Sequence, residues 1–349
     1  MILPHTDTSL VLLMLLCMMC WGSWPIFYKM AQKYRFELFY FDFGFGLTLL
    51  AFICIFTLGS LGFDGFNFLD DILNARKQDW VYAFMAGAIF NFGNMLMMAA
   101  ISVAGLTVAV PLTFGAALIV SSWMNYLSHP GMSSMAMLGA TVPMLFSMIF
   151  ASSAYSRLRI LQHETLARAG KAKSTRRPKS IKGVVLATVG GLAMGALAPF
   201  LVRAQDQDEG VGPYSLLFLF AAAVVTSTFV YNLFFMNLPV EGDPLEIGDY
   251  FRATIKNHAL GCAAGLVWGI GAIAAFVVAT PKGDAHLAAP LGPLLERAAP
   301  LVAGLWGLLI WKEFKDGDAR VRAFGAIMLV LFAGGLLAFS YAPLWIVKQ

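Results

Sequence analysis

Apolar residues fill ten stretches of this chain, each about twenty residues long, and polar residues collect between them. A bilayer core of about 30 Å takes roughly 20 residues of helix. Each stretch therefore predicts a membrane-spanning helix. The stretches run over about 9–30, 38–60, 80–102, 105–127, 133–154, 183–203, 213–236, 258–280, 288–311 and 322–346. The segment 63–79 ("FDGFNFLDDILNARKQD") predicts a short amphipathic helix lying at the surface. The gaps leave no room for a second soluble domain.

Composition sharpens this picture. Of the 349 residues 59% are hydrophobic and only 13% charged, and mean hydropathy is +0.73. Soluble domains carry about 25% charged residues, so a soluble protein is excluded. Four cysteines do not suggest a disulfide scaffold. Cys17 and Cys20 form a CxxC inside an apolar helix, which reads as a buried structural pair. The histidines fall at loops or predicted helix ends, and no metal spacing is present. No basic residue precedes the first helix and no clear cleavage site follows it, so it reads as retained rather than as a cleaved signal.

Lysine and arginine set the orientation. Eighteen of the 24 lie in the connections between predicted helices 1–2, 5–6, 7–8 and 9–10. Nine of them fall in the central connection, Arg157 to Lys182. Those loops are expected to be cytoplasmic, with both termini outside. Basic residues there also suit anionic lipid. Nucleic acid is not expected as a partner, because a topology signal explains them.

The two halves resemble each other weakly. "GAIFNFG" (87–93) and "GLVWGIG" (265–271) share both glycines and an aromatic. "MLGATVPML" (137–145) resembles "AFGAIMLVL" (323–331), and "GSWP" (22–25) sits opposite "GALAP" (195–199). The matches keep their order along the chain. Five helices per copy would insert the second copy upside down. The expected fold is thus all-α and integral to the membrane, ten transmembrane helices as two inverted five-helix repeats. The first repeat spans 1–155, a basic cytoplasmic loop 156–182, and the second repeat 183–349. Inverted repeats with a site at their interface mark transporters.

Polar residues within the spans are candidates for that site. Trp21, Trp24, Pro25 and Tyr28 share one face of the first helix. Trp24 lies deeper than the usual interfacial belt. Gly87, Asn91 and Asn94 share a face of the third helix, where two amides one turn apart serve either a polar ligand or helix–helix contact. Glu296 and Arg297 lie well inside the ninth helix, between Pro293 and Pro300. A charge at that depth costs about 2.5–3.5 kcal/mol or more, so it faces a cavity or finds a partner. The structural alternative is an ion pair with each other or with Asp42, which lies near the start of the second helix.

At these residues the chain resembles a known family. "WGSWPIFYK" followed by "FELFYFDFGFG" is similar to the opening of the ureide permease family, within the drug/metabolite transporter superfamily. Sugar-uptake families of that superfamily open similarly. "WKEF" (311–314) resembles the superfamily's late motif, where a glutamate ends the ninth helix. The resemblance implies proton-linked uptake of small polar solutes such as allantoin and related purine breakdown products. Plant members carry a Walker-type phosphate loop in the central segment. This chain lacks it: in "ARAGKAKS" the Gly170-Lys171 pair is followed by Ala172, and Thr165 stands where the earlier glycine belongs.

The expected function is secondary active transport of a ureide or purine-derived heterocycle, with a pentose or hexose porter as the alternative. Trp24, Tyr28 and Trp268 would stack on the solute, and Asn91, Asn94 and Arg297 would bind its polar groups. Glu296, or Asp42, would carry the coupling proton, with sodium ion as the other coupling ion. No cofactor, metal or catalytic group is expected. The protein is expected to lie among lipid in an inner or plasma membrane, as a monomer or homodimer.

Overall fold

The computed structural model describes residues 1–31, 33–128, 133–170, 181–205, 210–280 and 291–344, without the side chain of Pro293. Residues 171–180 of the basic central loop, including Lys171 to Ser174 of the phosphate-loop comparison, lie outside the described residues. All described regular structure is helical. In chain order the helices are α1 (Asp7–Ser23), α2 (Pro25–Met30), α3 (Phe36–Phe56), α4 (Phe68–Asn74), α5 (Lys77–Ala104), α6 (Leu106–Ser128), α7 (Ser134–Arg168) and α8 (Ile181–Gly195). They continue as α9 (Ala198–Ala204), α10 (Pro213–Asn237), α11 (Ile247–Phe251), α12 (Ile255–Val278), α13 (Leu291–Arg297) and α14 (Ala299–Leu305). A π-helical turn over Trp306–Ile310 follows, and α15 covers Ala319–Tyr341.

Among the described residues nine helical segments are long and apolar enough to cross a membrane. Large apolar side chains point outward along them, for example Leu138, Val142, Leu145, Phe146 and Ile149 of α7. Apolar side chains facing outward suit a lipid solvent, and the chain is a multi-pass membrane protein. The tenth apolar stretch, 288–311, is broken into α13, α14 and the π turn. The surface helix expected within 63–79 is α4, capped by Asn67, whose side chain accepts from the Asp70 amide. The fifth span runs further than its apolar core: α7 continues to Arg168, so the start of the basic connection is helical.

Helix ends and breaks follow local chemistry. Thr6, Ser133, Thr254 and Asp318 cap α1, α7, α12 and α15 with side-chain oxygens, satisfying amides that a helix start leaves unpaired. Proline makes the interruptions, because it cannot donate to the carbonyl four residues back. Pro25 opens α2 and deprives Trp21; Pro199 lies at the start of α9 and deprives Gly195, the last residue of α8. The breaks at Trp24 and at 196–197 thus fall on the "GSWP" and "GALAP" stretches. Pro300 similarly follows the break between α13 and α14.

The chain forms two compact units. One comprises Met1–Met95 and Ala196–Ala299, the other Leu96–Gly195 and Pro300–Gln349. Each draws on both halves of the sequence. In the first, α12 packs along α3, α1 lies against α12, and α10 lies against α3. In the second, α15 packs on α7 and α6 on α8. Glycines set the closest approaches. A methyl at Gly265 would strike the Phe43 carbonyl, one at Gly46 the Cys262 carbonyl, and one at Gly261 the Cβ of Asp42. This bare backbone contact between α3 and α12 positions the residues described next.

Candidate functional site

Two adjoining polar and aromatic groups lie inside the first unit. Trp268 of α12 is the centre of the aromatic group. It stacks on Trp21 at 5.9 Å between ring centroids and on Phe220 at 5.7 Å, and it meets Phe90 at 4.4 Å. Phe43 of α3 touches both Trp268, at 6.1 Å, and Trp24, at 5.0 Å. The Trp21 indole N–H donates to the Trp268 carbonyl at 3.1 Å. Two of the three expected stacking residues, Trp24 and Trp268, are therefore joined through Phe43. Tyr28 sits to one side, edge-on to Phe39 at 5.4 Å.

The two asparagines divide. Asn91 donates to the Val224 carbonyl at 3.1 Å, to Ser227 Oγ at 2.7 Å and to Thr228 Oγ1 at 3.1 Å. It ties α5 to α10 and its donors are used. Asn94, one turn on, donates to Tyr40 Oη at 2.9 Å. Its own Oδ1 is buried and accepts nothing among the described residues. A buried carbonyl oxygen without a donor costs about 1–3 kcal/mol, and such orphans call for an explanation. Tyr40 in turn lies 5.0 Å from Phe43. Asn94, Tyr40, Phe43, Trp24 and Trp268 are thus linked in one chain of contacts.

The second group surrounds Asp42. Its carboxylate is buried and accepts from Tyr34 Oη at 2.8 Å and Tyr250 Oη at 2.6 Å. His258 Nδ1 lies 2.9 and 3.0 Å from its two oxygens. Each partner comes from a different element: Tyr34 from the link between α2 and α3, Tyr250 from α11, His258 from the first turn of α12. Burial, and then the hydrogen bond to Asp42, push the Tyr34 and Tyr250 phenols well up. Both therefore remain protonated donors at ordinary pH. The imidazole is 27% exposed while the Asp42 side chain is 2% exposed, so the histidine stands between the acid and water. The neighbouring buried acid, Glu37, is held by Arg35.

Glu296 and Arg297 end α13 and are half-buried. Neither bonds Asp42. Leu295 beside them packs against Met14, Cys17 and Ala274, which places the pair next to α1. Cys17 is buried in that apolar contact, and all four cysteines are free.

His258, Tyr34, Tyr250 and Tyr40 were not among the sequence candidates. Tyr40 lies in the "FELFYFDFGFG" stretch, two residues before Asp42, so helical proximity to the aromatic face of α3 was a usable signal. His258 carried a weaker one: after it, α12 holds only glycine, alanine and apolar residues.

No family model matches the chain. Three curated proteins of Arabidopsis thaliana are similar to it over nearly its whole length. Ureide permease 1 is 22% identical, across 91% of this chain and 93% of the relative. Ureide permease 4 is 21% identical, across 93% and 94%. Ureide permease 2 is 21% identical, across 95% and 96%.

Proposed function

We propose that this membrane protein is a secondary transporter, not an enzyme, and that it carries a ureide or a related purine-derived heterocycle together with a proton. The carrying observation is the similarity to three ureide permeases across more than nine-tenths of each partner's length. The layout we infer is ten spans in two inverted five-helix repeats, 1–155 and 183–349, with the basic loop 156–182 cytoplasmic and the termini outside. Helix breaks at the two matched stretches support it, since Gly/Pro-interrupted segments at corresponding positions point to a transporter's site.

The chemistry of the first unit suits such a solute. A ureide is flat and offers N–H donors beside carbonyl acceptors. Asn94 Oδ1 lacks a donor, and an N–H of the solute would supply one. Trp24 and Trp268 would take its face. Both are closely packed here, so the solute enters when the half-helix α2 moves. Asn91 has its donors committed to α10, and we assign it to helix contact. We assign Arg297 and Tyr28 to binding a carbonyl of the solute or shaping its entrance.

Counterflow in proteoliposomes tests the reading. Vesicles loaded with allantoin should take up labelled allantoin against their own exchange, and pentose or hexose loading should not replace it. A channel would leak solute without exchange, and an enzyme would alter it. Asn94→Ala should weaken allantoin binding by roughly 5- to 150-fold, the equivalent of about 1–3 kcal/mol, with expression maintained. Trp24→Phe should keep partial exchange and Trp24→Ala should lose most of it, because stacking needs an aromatic face. Full activity in both tryptophan variants would return Trp24 to packing.

A further inference from the structure

Proton-linked transport needs a titratable group whose charge alters a contact that moves. Asp42 is a buried acid of the first unit that lies within a span with no arginine held against it among the described residues, whereas Glu296 is half-buried on α13 beside Arg297. Asp42 has the fuller equipment. Its carboxylate is shielded, yet it is joined to a half-exposed imidazole at hydrogen-bond distance. Another of its partners, Tyr34, follows α2 by four residues, and the Tyr34 amide donates to the Ala31 carbonyl at 3.1 Å. Tyr34 and Tyr28 both rest against Phe39, at 6.4 and 5.4 Å. Asp42 is thereby linked to the broken first span that carries Trp24.

We infer that Asp42 and His258 together form the proton-coupling site, and that Tyr34 transmits their charge state to the half-helix α2. This rests on the transport reading above. With the neutral imidazole donating Nδ1–H to the carboxylate, the pair carries one negative charge. A proton taken from water at Nε2 makes it an imidazolium–carboxylate pair of no net charge. If that proton's partner at Nδ1 then crosses to Asp42, the result is a neutral acid beside a neutral imidazole. The acid has then become a donor at one oxygen and weakens as an acceptor for Tyr34 and Tyr250. Both phenols would loosen, and the link at Tyr34 would free α2. Release of the proton on the other side restores the clamp.

The groups facing Asp42 are few. Tyr34 comes from the α2–α3 link, Tyr250 from α11, and His258 and the Cys262 thiol from α12. From α10, packed on the other flank of α3, Asn232 bonds the Glu37 carbonyl and Tyr231 the Ala88 carbonyl. Arg35 neutralises Glu37. The cluster's net charge is therefore set by Asp42 and His258.

The test uses the purified chain in proteoliposomes, with allantoin as solute and a pH-sensitive dye in the lumen. One pH unit, about 1.4 kcal/mol, supports at most about tenfold accumulation at one proton per solute. Wild type should approach that value and acidify the lumen as allantoin enters. Asp42→Asn should fall to equal concentrations on both sides, with no lumen acidification. Its residual counterflow should lose the pH dependence that wild type shows. His258→Gln should shift the pH profile of exchange and lower accumulation several-fold. Undiminished pH-driven accumulation in Asp42→Asn would overturn the inference. So would its loss in Glu296→Gln with retention in Asp42→Asn. Wild-type net uptake of allantoin without lumen acidification would reject the coupling while leaving transport standing, even if Asp42→Asn fails to fold. Absence of counterflow in wild type would reject transport itself.

Discussion

Gly265→Ala is expected to lower the melting temperature of the purified protein by about 2–12 °C and to cut its yield. Only one methyl is added, but it meets backbone. The Phe43 carbonyl of α3 occupies its place, and the Leu47 amide lies 2.7 Å away. Backbone inside a helix cannot step aside as a side chain can, so α3 and α12 must separate along their length. Overpacking of this kind costs about 1–3 kcal/mol, occasionally more, and each kcal/mol is worth about 2–4 °C in a chain of this class. Gly46 and Gly261 make the same kind of contact with the opposite helix, so separation would also undo their packing. It would move His258 from Asp42, and exchange should lose its pH response together with its stability. Gly44→Ala is the matched control. Its added methyl would find Val225 at 3.5 Å, an ordinary contact, and its melting temperature should stay within about 2 °C of wild type. Scans at one fixed rate make the comparison fair, since membrane carriers unfold irreversibly. Equal losses in Gly265→Ala and Gly44→Ala would show that helix propensity, not the backbone contact, governs both.

Nine long apolar helices appear among the described residues against ten expected, and these were legible because lipid imposes an apolar run of about twenty residues. The breaks were legible at Pro25 because proline acts locally. Tertiary partners were not. Asn91 and Asn94 lie one turn apart on the same helix, yet one is consumed by α10 and the other keeps an open oxygen. That difference depends on whether Ser227 and Thr228, about 135 residues away, arrive opposite Asn91, which helical spacing does not encode. The Asp42 cluster was hidden for a related reason. Its four members come from positions 34, 42, 250 and 258, in segments that read separately as loop, span, loop and span end. One clue was present: Gly261, Gly265 and Gly269 recur every four residues on α12. Small residues at that spacing mark close helix contact, and a contact at Gly261 necessarily brings the turn containing His258 beside a neighbouring helix.

Removing the Glu313 carboxylate should be the second large loss, this time within the second unit. Glu313 of the "WKEF" stretch accepts from the amides of Leu106 at 3.0 Å and Thr107 at 2.8 Å, the first two residues of α6. A helix start leaves such amides unpaired, and a negative group there also meets the positive end of the helix dipole, worth up to about 2 kcal/mol where partly buried. The sequence clears space for it. Gly105 has φ +83, and a side chain there would come within 2.8 Å of Glu313 Oε1. A methyl at Gly307 would strike Thr107 Oγ1 and lie 3.0 Å from Glu313 Oε2. Glu313→Ala leaves two amides without acceptors and should destabilise by about 2–4 kcal/mol. Glu313→Gln should recover only part of this, because one of its two terminal atoms becomes a donor facing donors. Gly105→Ala should also be costly, through the positive φ and the crowded carboxylate. The two sites are predicted to couple: once the carboxylate is gone, Gly105→Ala has less to strike, so the double variant should lose less than the two single losses combined. Thermal unfolding of the four proteins at matched detergent measures that difference. Strict additivity would separate the glycine's strain from the cap, and a wild-type melting temperature in Glu313→Ala would remove Glu313 from the account of how α6 begins.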